Sequence, residues 1–389
     1  MEKILTIVIP TYNMQDYLRR CLDSLIVPEE QMKQLEVLVV NDGSKDNSSA
    51  IAHEYQDMYP DTFRVIDKEN GNYGSCVNRG LKEATGKYIK VLDADDWFDS
   101  SNFKTLLTKL VSVDTDVVIT DYTSHVKFGE VLCSYNYEKN IEYTLERALR
   151  ENETQTKSIQ MHAICYNRVC FEHIEYHQTE GISYTDQEWI LEPWINVNSL
   201  YYIPLSVYQY NLDREGQTCS QTVYLKKMSD QFVSILNTVK FLGEYGNSMN
   251  QLHRDLIFDK IATRMESLYR LILVDEKITP EYLINFDREL MGSYREFAEY
   301  LDYATLHSYF PCRYIKHWRI NDYQASNLVL EVNSVLQYIA DSIKSVVDKL
   351  HAKRRIGGGK QEAPYLKEGL FVVSGKVFMM SNPLMRRAA

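Results

Sequence analysis

The chain has 389 residues, of which 44% are hydrophobic and 25% charged, and its formal net charge is −11. This hydrophobic fraction excludes a disordered chain, and the length indicates two or three domains rather than one. The negative balance argues against a general nucleic-acid binder, which needs a basic surface. Seven scattered cysteines without a CxxC pair argue against a zinc ribbon and indicate free thiols in a reducing compartment.

Strand and helix patterns alternate along the first 125 residues. Apolar runs predict buried strands at Ile4–Ile9, Leu35–Val40, Phe63–Ile66, Tyr88–Leu92 and Asp116–Thr120. Helical spacing between them predicts helices at Gln15–Leu25, from an Asp46 N-cap to Tyr55, at Gly74–Ala84 and at Asn102–Val111. This alternation is typical of βαβ units around a mostly parallel sheet.

Polar clusters follow three of the predicted strands. They are Thr11-Tyr12-Asn13, Asn41-Asp42-Gly43-Ser44 and Asp93-Ala94-Asp95-Asp96. Open parallel sheets bind ligands outside the carboxyl ends of their strands. The three clusters therefore predict a ligand site at this edge of the sheet.

Asp93-x-Asp95-Asp96 is the most informative of these clusters. Neighbouring carboxylates repel one another unless a cation holds them, and a hard divalent ion shared with substrate phosphates fits the spacing. The alternative is an N-cap cluster for the next helix, a role that Asp96 or Asp99 would fill. Asn41–Ser44 is equally open between a plain turn and a carboxylate, Asp42, that accepts the imide N–H of uracil.

After residue 125 the pattern is mixed and rich in tyrosine, and after 225 it becomes helical. Gly246 stands where a helix C-cap is expected, and Thr279-Pro280 reads as an N-cap followed by Pro at the first helical position. A last apolar stripe runs from Leu328 to Leu350, and Gly357–Gly359 is a linker. The predicted domains are 1–224, a helical domain 225–355 and a basic and apolar tail 356–389.

Four segments in order resemble the family 2 glycosyltransferases. They are Ile7–Asn13, Val39–Ser44, Asn72–Gly80 and Leu92–Asp96. Each motif is weak alone, but the ordered set is specific; it covers roughly residues 3–220 and most strongly 3–122. The resemblance implies a GT-A (Rossmann-like) α/β fold followed by a mainly α-helical region. It also implies a UDP-sugar donor, a Mn²⁺ or Mg²⁺ ion and inversion at the anomeric carbon.

The resemblance assigns residues one by one. Asp42 matches the uracil-binding aspartate, Asp93 the residue that contacts ribose or sugar, and Asp95 the metal ligand. Val77 occupies the usual place of an arginine, so a diphosphate contact from that position is not expected. The full set of expected donor-binding residues is Pro10, Thr11, Tyr12, Asp42, Asn72, Gly74, Asn78, Asp93, Ala94, Asp95, Arg214 and Gln217.

Glu180–Trp189 resembles the segment that supplies the catalytic carboxylate in this family. Only the Asp of the usual Glu-Asp pair is kept, and the expected base is therefore Asp186, with Glu188 second and Trp189 as an acceptor-site candidate. The alternative is that these acids merely cap a helix. Arg214 and Gln217 resemble the closing segment over the donor, where a guanidinium suits the diphosphate; the alternative is a plain surface loop.

The predicted function is an inverting, metal-dependent transfer of a sugar from a UDP-sugar to a hydroxyl in bacterial surface-glycan synthesis. The acceptor stays open between a glycan, a teichoic-type polymer, a lipid-linked glycan and a glycoprotein. The alternative is a non-catalytic nucleotide-sugar sensor or scaffold on the same fold. A nucleotidyltransferase would need a Gly-rich triphosphate loop near the first strand, and the sequence has none there.

Charge is unevenly distributed along the chain. Residues 344–389 carry +7, and the preceding residues carry −18. Two interpretations of this tail stand: contact with an anionic membrane surface, or a solvated helix end followed by a small β-like segment. The first apolar run, Ile4–Ile9, is too short for a signal peptide, which predicts a cytoplasmic protein or one at the inner face of the membrane. The helical region is expected to extend the acceptor groove or to build a homo-oligomer.

Overall fold

The computed structural model describes residues 2–172, 174–213, 225–276, 278–305, 313–324, 370–373 and 376–379. The chain divides into two compact units, Met1–Phe258 and Asp259–Ala389. The sequence analysis instead began a separate helical domain at residue 225. Helix Met228–Tyr245 belongs to the first unit, where it packs against the short helix Asp186–Leu191.

Within the described residues, the first unit contains one ten-stranded sheet. Its strands are β1 Leu5–Thr11, β2 Leu35–Asn41, β3 Phe63–Asp67, β4 Tyr88–Val91, β5 Trp97–Phe98, β6 Val117–Val126, β7 Gly129–Cys133, β8 Glu142–Thr144, β9 Ile164–Asn167 and β10 Ser199–Asn211. The order is β3-β2-β1-β4-β9-β6-β10-β5, with β7 paired to β6 and β8 to β10.

The pairing directions place most carboxyl ends at one edge of the sheet. Strands β1 to β4 are mutually parallel where they pair. Strand β9 runs antiparallel to both β4 and β6, and β10 runs parallel to β6. The ends of β1, β2, β4, β6 and β10 therefore lie at the same edge, as the mostly parallel sheet predicted from sequence requires.

Helices flank this sheet. They are α1 Leu18–Asp23, α2 Glu29–Met32, α3 Ser48–Met58, α4 Asn72–Glu83, α5 Ser100–Leu110, α6 Leu145–Lys157, α7 Asp186–Leu191 and α8 Met228–Tyr245. The predicted helix at Gln15–Leu25 is shorter than expected, because it begins only at Leu18 and ends at Asp23. Asp99 caps α5 by accepting a hydrogen bond from the Asn102 N–H, which confirms its N-cap interpretation.

The remaining helices are α9 Gln251–Arg270, α10 Glu281–Ser293, α11 Arg295–Asp302 and α12 Tyr314–Ile320. Gly246 is the C-cap residue of α8, as predicted. Pro280 is the N-cap of α10 in an extended conformation, so its predicted place at the first helical position was wrong by one residue. In the second unit the buried Asp287 carboxylate binds the Arg319 guanidinium at 2.7 Å and accepts a hydrogen bond from the Tyr269 hydroxyl.

Leu370–Val373 and Lys376–Met379 form strands β11 and β12, which pair antiparallel. The stripe Leu328–Leu350 and the Gly357–Gly359 linker lie outside the described residues. In the part of the chain that the structure describes, none of the helices has the length and apolar character needed to cross a bilayer.

The core of the first unit depends on close packing of α4 against β1. All seven residues of β1 are buried. A Cβ atom on Gly80 would lie 2.3 Å from Cγ1 of Val8, which is closer than real carbon contacts allow. Only a glycine at position 80 lets the helix approach the strand this closely.

We expect Gly80→Ala to lower the free energy of unfolding by about 1–3 kcal/mol, because the new methyl group must displace α4 from β1. Urea unfolding followed by circular dichroism measures the change. Gly292→Ala is the matched control, since its position in α10 is open and Ala gains about 1 kcal/mol over Gly in a helix. Equal midpoints for Gly80→Ala and the wild type would contradict the packing argument.

Candidate active site

The loops after β1 and β2 are tied together at the carboxyl edge of the sheet. The Asp42 N–H donates to the Thr11 carbonyl at 2.8 Å, and the Asn13 side chain accepts from the Lys45 N–H. Pro10 and Thr11 are buried within β1, whereas the Tyr12 ring is 45% exposed. Of these three expected base-packing residues, Tyr12 is the one that presents a ring to solvent.

Asp42 is 3% exposed and holds the loop that leads into α4. Its Oδ1 accepts from the Lys68 ammonium at 2.7 Å and from the Gly71 N–H at 2.9 Å. Its Oδ2 accepts from the Asn72 N–H at 2.9 Å. A carboxylate has about four acceptor positions; three are used by these N–H donors, and the Cys76 thiol also hydrogen-bonds to this carboxylate.

Helix α4 carries the other donor-side residues of the Asn72–Gly80 motif. Asn72 begins the helix with a φ of 66°, a left-handed conformation that Asn tolerates better than most residues. The Asn78 side chain pairs with the main chain of Gln178, donating to its carbonyl at 2.9 Å and accepting from its N–H at 2.8 Å. Asn78 therefore binds the segment that precedes Asp186.

The acid loop, Asp93 to Asp96, connects β4 to β5. Asp93 and Asp95 are partly exposed, whereas Ala94 and Asp96 are buried. The Asp96 carboxylate accepts hydrogen bonds from the Tyr208 hydroxyl at 2.6 Å and from the Asn211 N–H at 2.7 Å. Asp96 thus faces inward and fixes the loop, and Asp93 and Asp95 remain at the surface of the site.

Charge is concentrated in the acid loop. Burial raises the pKa of the Asp96 carboxyl well above its usual range, and the charges of Asp95 and Asp93 raise it further. The Asp95 carbonyl accepts from the Arg20 guanidinium, which stacks 3.7 Å above the centre of the Trp97 ring. These hydrogen bonds and the Arg20 guanidinium therefore stabilise a loop that holds three carboxyl groups close together.

Tyr73, on α4, contacts the acid loop. Its hydroxyl donates to Oδ1 of Asp93 at 3.0 Å. Burial raises the pKa of the Tyr73 hydroxyl well above its usual value, and the charges of Asp93 and Asp186 raise it further. Both carboxylates consequently lie within electrostatic reach of one phenol, although 93 and 186 belong to separate parts of the sequence.

The segment Glu180–Trp189, which is predicted to supply the base and is called the base-bearing segment below, extends into α7. Asp186 is the first residue of this helix and is partly exposed, with Oδ2 accepting from the Gln187 amide at 3.2 Å. Glu188 is 1% exposed, and both of its carboxylate oxygens accept hydrogen bonds from Thr179. Asp186 is thus the partly exposed acid of α7, and Glu188 binds the segment that precedes it.

Trp189 does not lie at an acceptor surface, contrary to expectation. It is 1% exposed, stacks on Phe171 with 5.2 Å between ring centroids, and packs edge-on against Tyr166. The reason is that the second half of α7 is buried on all sides, since Glu188, Trp189, Ile190 and Leu191 are all buried. Arg214 and Gln217 lie outside the described residues.

The N-terminal segment also matches a known protein family. The family model described as glycosyl transferase family 2 matches residues 6–128. Residues 6–128 are a family 2 glycosyltransferase domain. Glycosyltransferase GlyA of Streptococcus pneumoniae is 37% identical over 120 residues, which are 31% of this chain and 17% of that protein.

Two Bacillus subtilis proteins are similar over the same glycosyltransferase domain. The putative glycosyltransferase EpsH is 36% identical over 119 residues, 31% of this chain and 33% of that protein. The minor teichoic acid biosynthesis protein GgaB is 35% identical over 102 residues, 26% of this chain and 11% of that protein. The matches thus span about a third or less of these relatives' lengths.

Solved structures are similar along nearly the whole chain. TarS 1–349 of S. aureus in complex with UDP-GlcNAc superposes with a TM-score of 0.56 at 20% identity, covering 98% of this chain and 97% of that chain. Another structure of TarS 1–349 gives a TM-score of 0.57 at 19% identity, with the same coverage. At this identity the likeness shows the fold, which is GT-A.

The first unit holds several residues around the candidate site that the sequence analysis did not assign. Tyr73 stands inside the recognised Asn72–Gly80 motif, but nothing local distinguishes it from the core tyrosines. Tyr208 and Asn211 contact Asp96 from positions 112 and 115 residues later in the chain. Of these residues, Lys68 alone could have been noticed in the sequence, because it is a basic residue shortly before the Asn72–Gly80 motif.

We expect Asp42→Asn to loosen the loop of residues 68–72, because the amide loses charge-assisted hydrogen bonds that are worth about 1.5–3 kcal/mol each. Hydrogen–deuterium exchange of the peptide covering 68–76 measures this, and exchange should become faster. Asp57→Asn, at an exposed position of α3, is the control and should leave the exchange of that peptide unchanged. Unaltered exchange in Asp42→Asn would contradict the holding role.

Proposed function

We propose that this chain is an inverting, metal-dependent glycosyltransferase that moves a sugar from a UDP-sugar to an acceptor hydroxyl. The observation that carries the proposal is the Tyr73 hydroxyl, which donates to Asp93 and lies within electrostatic reach of Asp186. A donor-side carboxylate and a candidate base therefore act on one phenol near the carboxyl edge of the sheet. This is the arrangement that sugar transfer between two bound substrates requires.

On the donor side, we propose that the uracil ring lies beside Tyr12 and Asp42. The exposed Tyr12 ring offers a stacking surface. The uracil imide N–H would bind the Asp42 carboxylate in place of the Cys76 thiol, the weakest donor to that group. Asn72 and Gly74, at the start of α4, would then approach the ribose and diphosphate, with Asp93 orienting the ribose or sugar.

The acid loop fits a divalent ion that is shared with the donor. Among the described residues, no group of three His, Cys, Asp or Glu side chains is arranged to hold a metal ion by itself. The partly exposed Asp95 carboxylate, with Asp93 nearby, supplies the hard oxygen ligands that Mn²⁺ or Mg²⁺ uses together with substrate phosphates. When bound, the ion would neutralise the charge that develops on the UDP leaving group.

We expect Mn²⁺ and UDP to bind cooperatively, because the residues that the structure describes offer too few ligands for the ion by themselves. Electron paramagnetic resonance titration of Mn²⁺, corrected for Mn²⁺–UDP in solution, should show about 10-fold tighter binding with UDP present. Asp95→Asn should abolish this gain, whereas Asp114→Asn, whose side chain is 87% exposed, should keep it. The same Mn²⁺ affinity with and without UDP would contradict a shared site.

On the acceptor side, we propose that Asp186 is the general base. A partly exposed carboxylate at the start of a short helix can accept the proton of an acceptor hydroxyl as that hydroxyl attacks the sugar C1. Attack from this side, opposite the departing diphosphate, gives inversion. We further propose that Arg214 and Gln217 close over the donor, with the Arg214 guanidinium neutralising the diphosphate.

Asp186→Asn should lower the transfer rate by about 10²–10⁴-fold, because the amide cannot accept the hydroxyl proton. UDP binding measured by calorimetry should stay within about two-fold, since Asp186 contacts the acceptor in this scheme. UDP release from UDP-sugars with glycan acceptors measures the rate, and Asp114→Asn is the matched control. Full activity of Asp186→Asn would contradict the assignment of Asp186 as the base. UDP binding without turnover by the wild type would favour the alternative function, a non-catalytic nucleotide-sugar sensor.

The names of similar proteins indicate which substrates to test first. Because TarS 1–349 was solved with UDP-GlcNAc and GgaB is named for minor teichoic acid biosynthesis, we propose UDP-GlcNAc as the first donor to test. Teichoic-type polymers and other surface glycans are the acceptors proposed with it. A panel of UDP-sugars identifies the donor from the ratio of kcat/KM values.

A further inference from the structure

Thr179 lies at the centre of the contacts that hold the base-bearing segment. Its N–H donates to Oε2 of Glu188 at 2.7 Å, and its hydroxyl donates to Oε1 of the same carboxylate at 2.9 Å. Because Glu188 lies two residues after Asp186 and is almost completely buried, these two bonds fix α7 from the inside. Hydrogen bonds to a buried carboxylate are among the stronger ones in proteins.

Helix α8 contacts the same segment from a second direction. The Asn237 amide donates to the Thr179 hydroxyl oxygen at 2.7 Å. The Ser183 N–H donates to the Asp230 carboxylate at 3.0 Å, and the Lys227 ammonium donates to the Ser183 hydroxyl at 2.8 Å. The Thr179 hydroxyl therefore donates to α7 and accepts from α8.

Helix α4 contacts the segment from a third direction. A Cβ atom on Gly74 would lie 2.3 Å from the Thr179 carbonyl oxygen, so the helix main chain passes directly against Thr179. The next turn of the helix adds the paired hydrogen bonds between Asn78 and Gln178. Tyr73, which binds Asp93, is the neighbour of Gly74 in this helix.

These contacts connect the two halves of the proposed reaction centre through one residue. Helix α4 reaches the acid loop through Tyr73, and α7 begins with Asp186. We propose that Thr179 is a positioning residue that sets the distance between Asp186 and the acid loop. This inference rests on the proposed function, and it adds a residue that touches neither the donor nor the reacting atoms.

A positioning role predicts a particular kinetic pattern. Displacing a reacting group by about 1 Å can cost on the order of 100-fold in rate. Thr179→Val removes the hydroxyl, leaves one Glu188 oxygen and the Asn237 amide without this partner, and keeps the volume of the side chain. We expect kcat to fall by about 10- to 100-fold while the KM for the UDP-sugar changes by less than about two-fold.

The full-length chain should be compared as wild type, Thr179→Val and Thr179→Ser, with UDP release as the assay. Thr179→Ser restores the hydroxyl and should return kcat to within about three-fold of the wild type. Thr156→Val is the matched control, because the buried Thr156 hydroxyl bonds Tyr137 and the Asn152 carbonyl in α6. It should lower the melting temperature without lowering kcat measured well below that temperature.

The inference is overturned if Thr179→Val and Thr156→Val have the same kcat, or if Thr179→Ser does not recover it. Hydrogen–deuterium exchange of the peptide covering 180–188 gives a second measurement that needs no turnover. That peptide should exchange faster in Thr179→Val and at the wild-type rate in Thr156→Val, and equal rates in the two variants overturn the inference. A wild type without turnover on any UDP-sugar refutes the proposed function instead, and the exchange experiment still decides the role of Thr179.

Discussion

Repulsion between the carboxyl groups of the acid loop is the constraint around which the rest of the site is organised. Asp93, Asp95 and Asp96 occupy three of four consecutive positions after β4, and each like charge makes its neighbours harder to ionise. Hydrogen bonds reduce this cost: Tyr208 and Asn211 donate to the Asp96 carboxylate, and Tyr73 donates to Asp93. What remains at the surface is a pair of partly exposed carboxylates that suits a divalent ion and a diphosphate.

Helix α4 connects the acid loop with other parts of the first unit. Its first N–H groups are held by Asp42, its first turn carries Tyr73, and its second turn holds the segment before Asp186 through Asn78. Two glycines make this possible, because Gly74 lets the helix touch Thr179 and Gly80 lets it touch Val8. One helix thus positions the loop of residues 68–72, the acid loop and the segment Glu180–Trp189 relative to one another.

The sequence predicted the parts of the structure that depend on local pattern. The β-branched runs marked β1 to β4 to within a residue or two, and the polar clusters after them lie at the carboxyl edge of the sheet. Contacts between distant segments could not be predicted, because no spacing rule connects Tyr208 with Asp96 or Asn237 with Thr179. Trp189 was assigned to the acceptor site because an aromatic residue near a carboxylate suits both a sugar and a core. Its burial is decided by aromatic partners that lie elsewhere in the sequence, Tyr166 and Phe171.

The central claim is that the acid loop and Asp186 serve one reaction centre from opposite sides. A crystal structure of the chain with a UDP-sugar and Mn²⁺ tests it most directly. The account predicts that the diphosphate and the ion lie against Asp95, with the anomeric carbon between Asp93 and Asp186 and the Asp186 carboxylate on the side of C1 away from the diphosphate. A donor bound elsewhere, or Asp186 on the same side of C1 as the leaving group, would contradict the account.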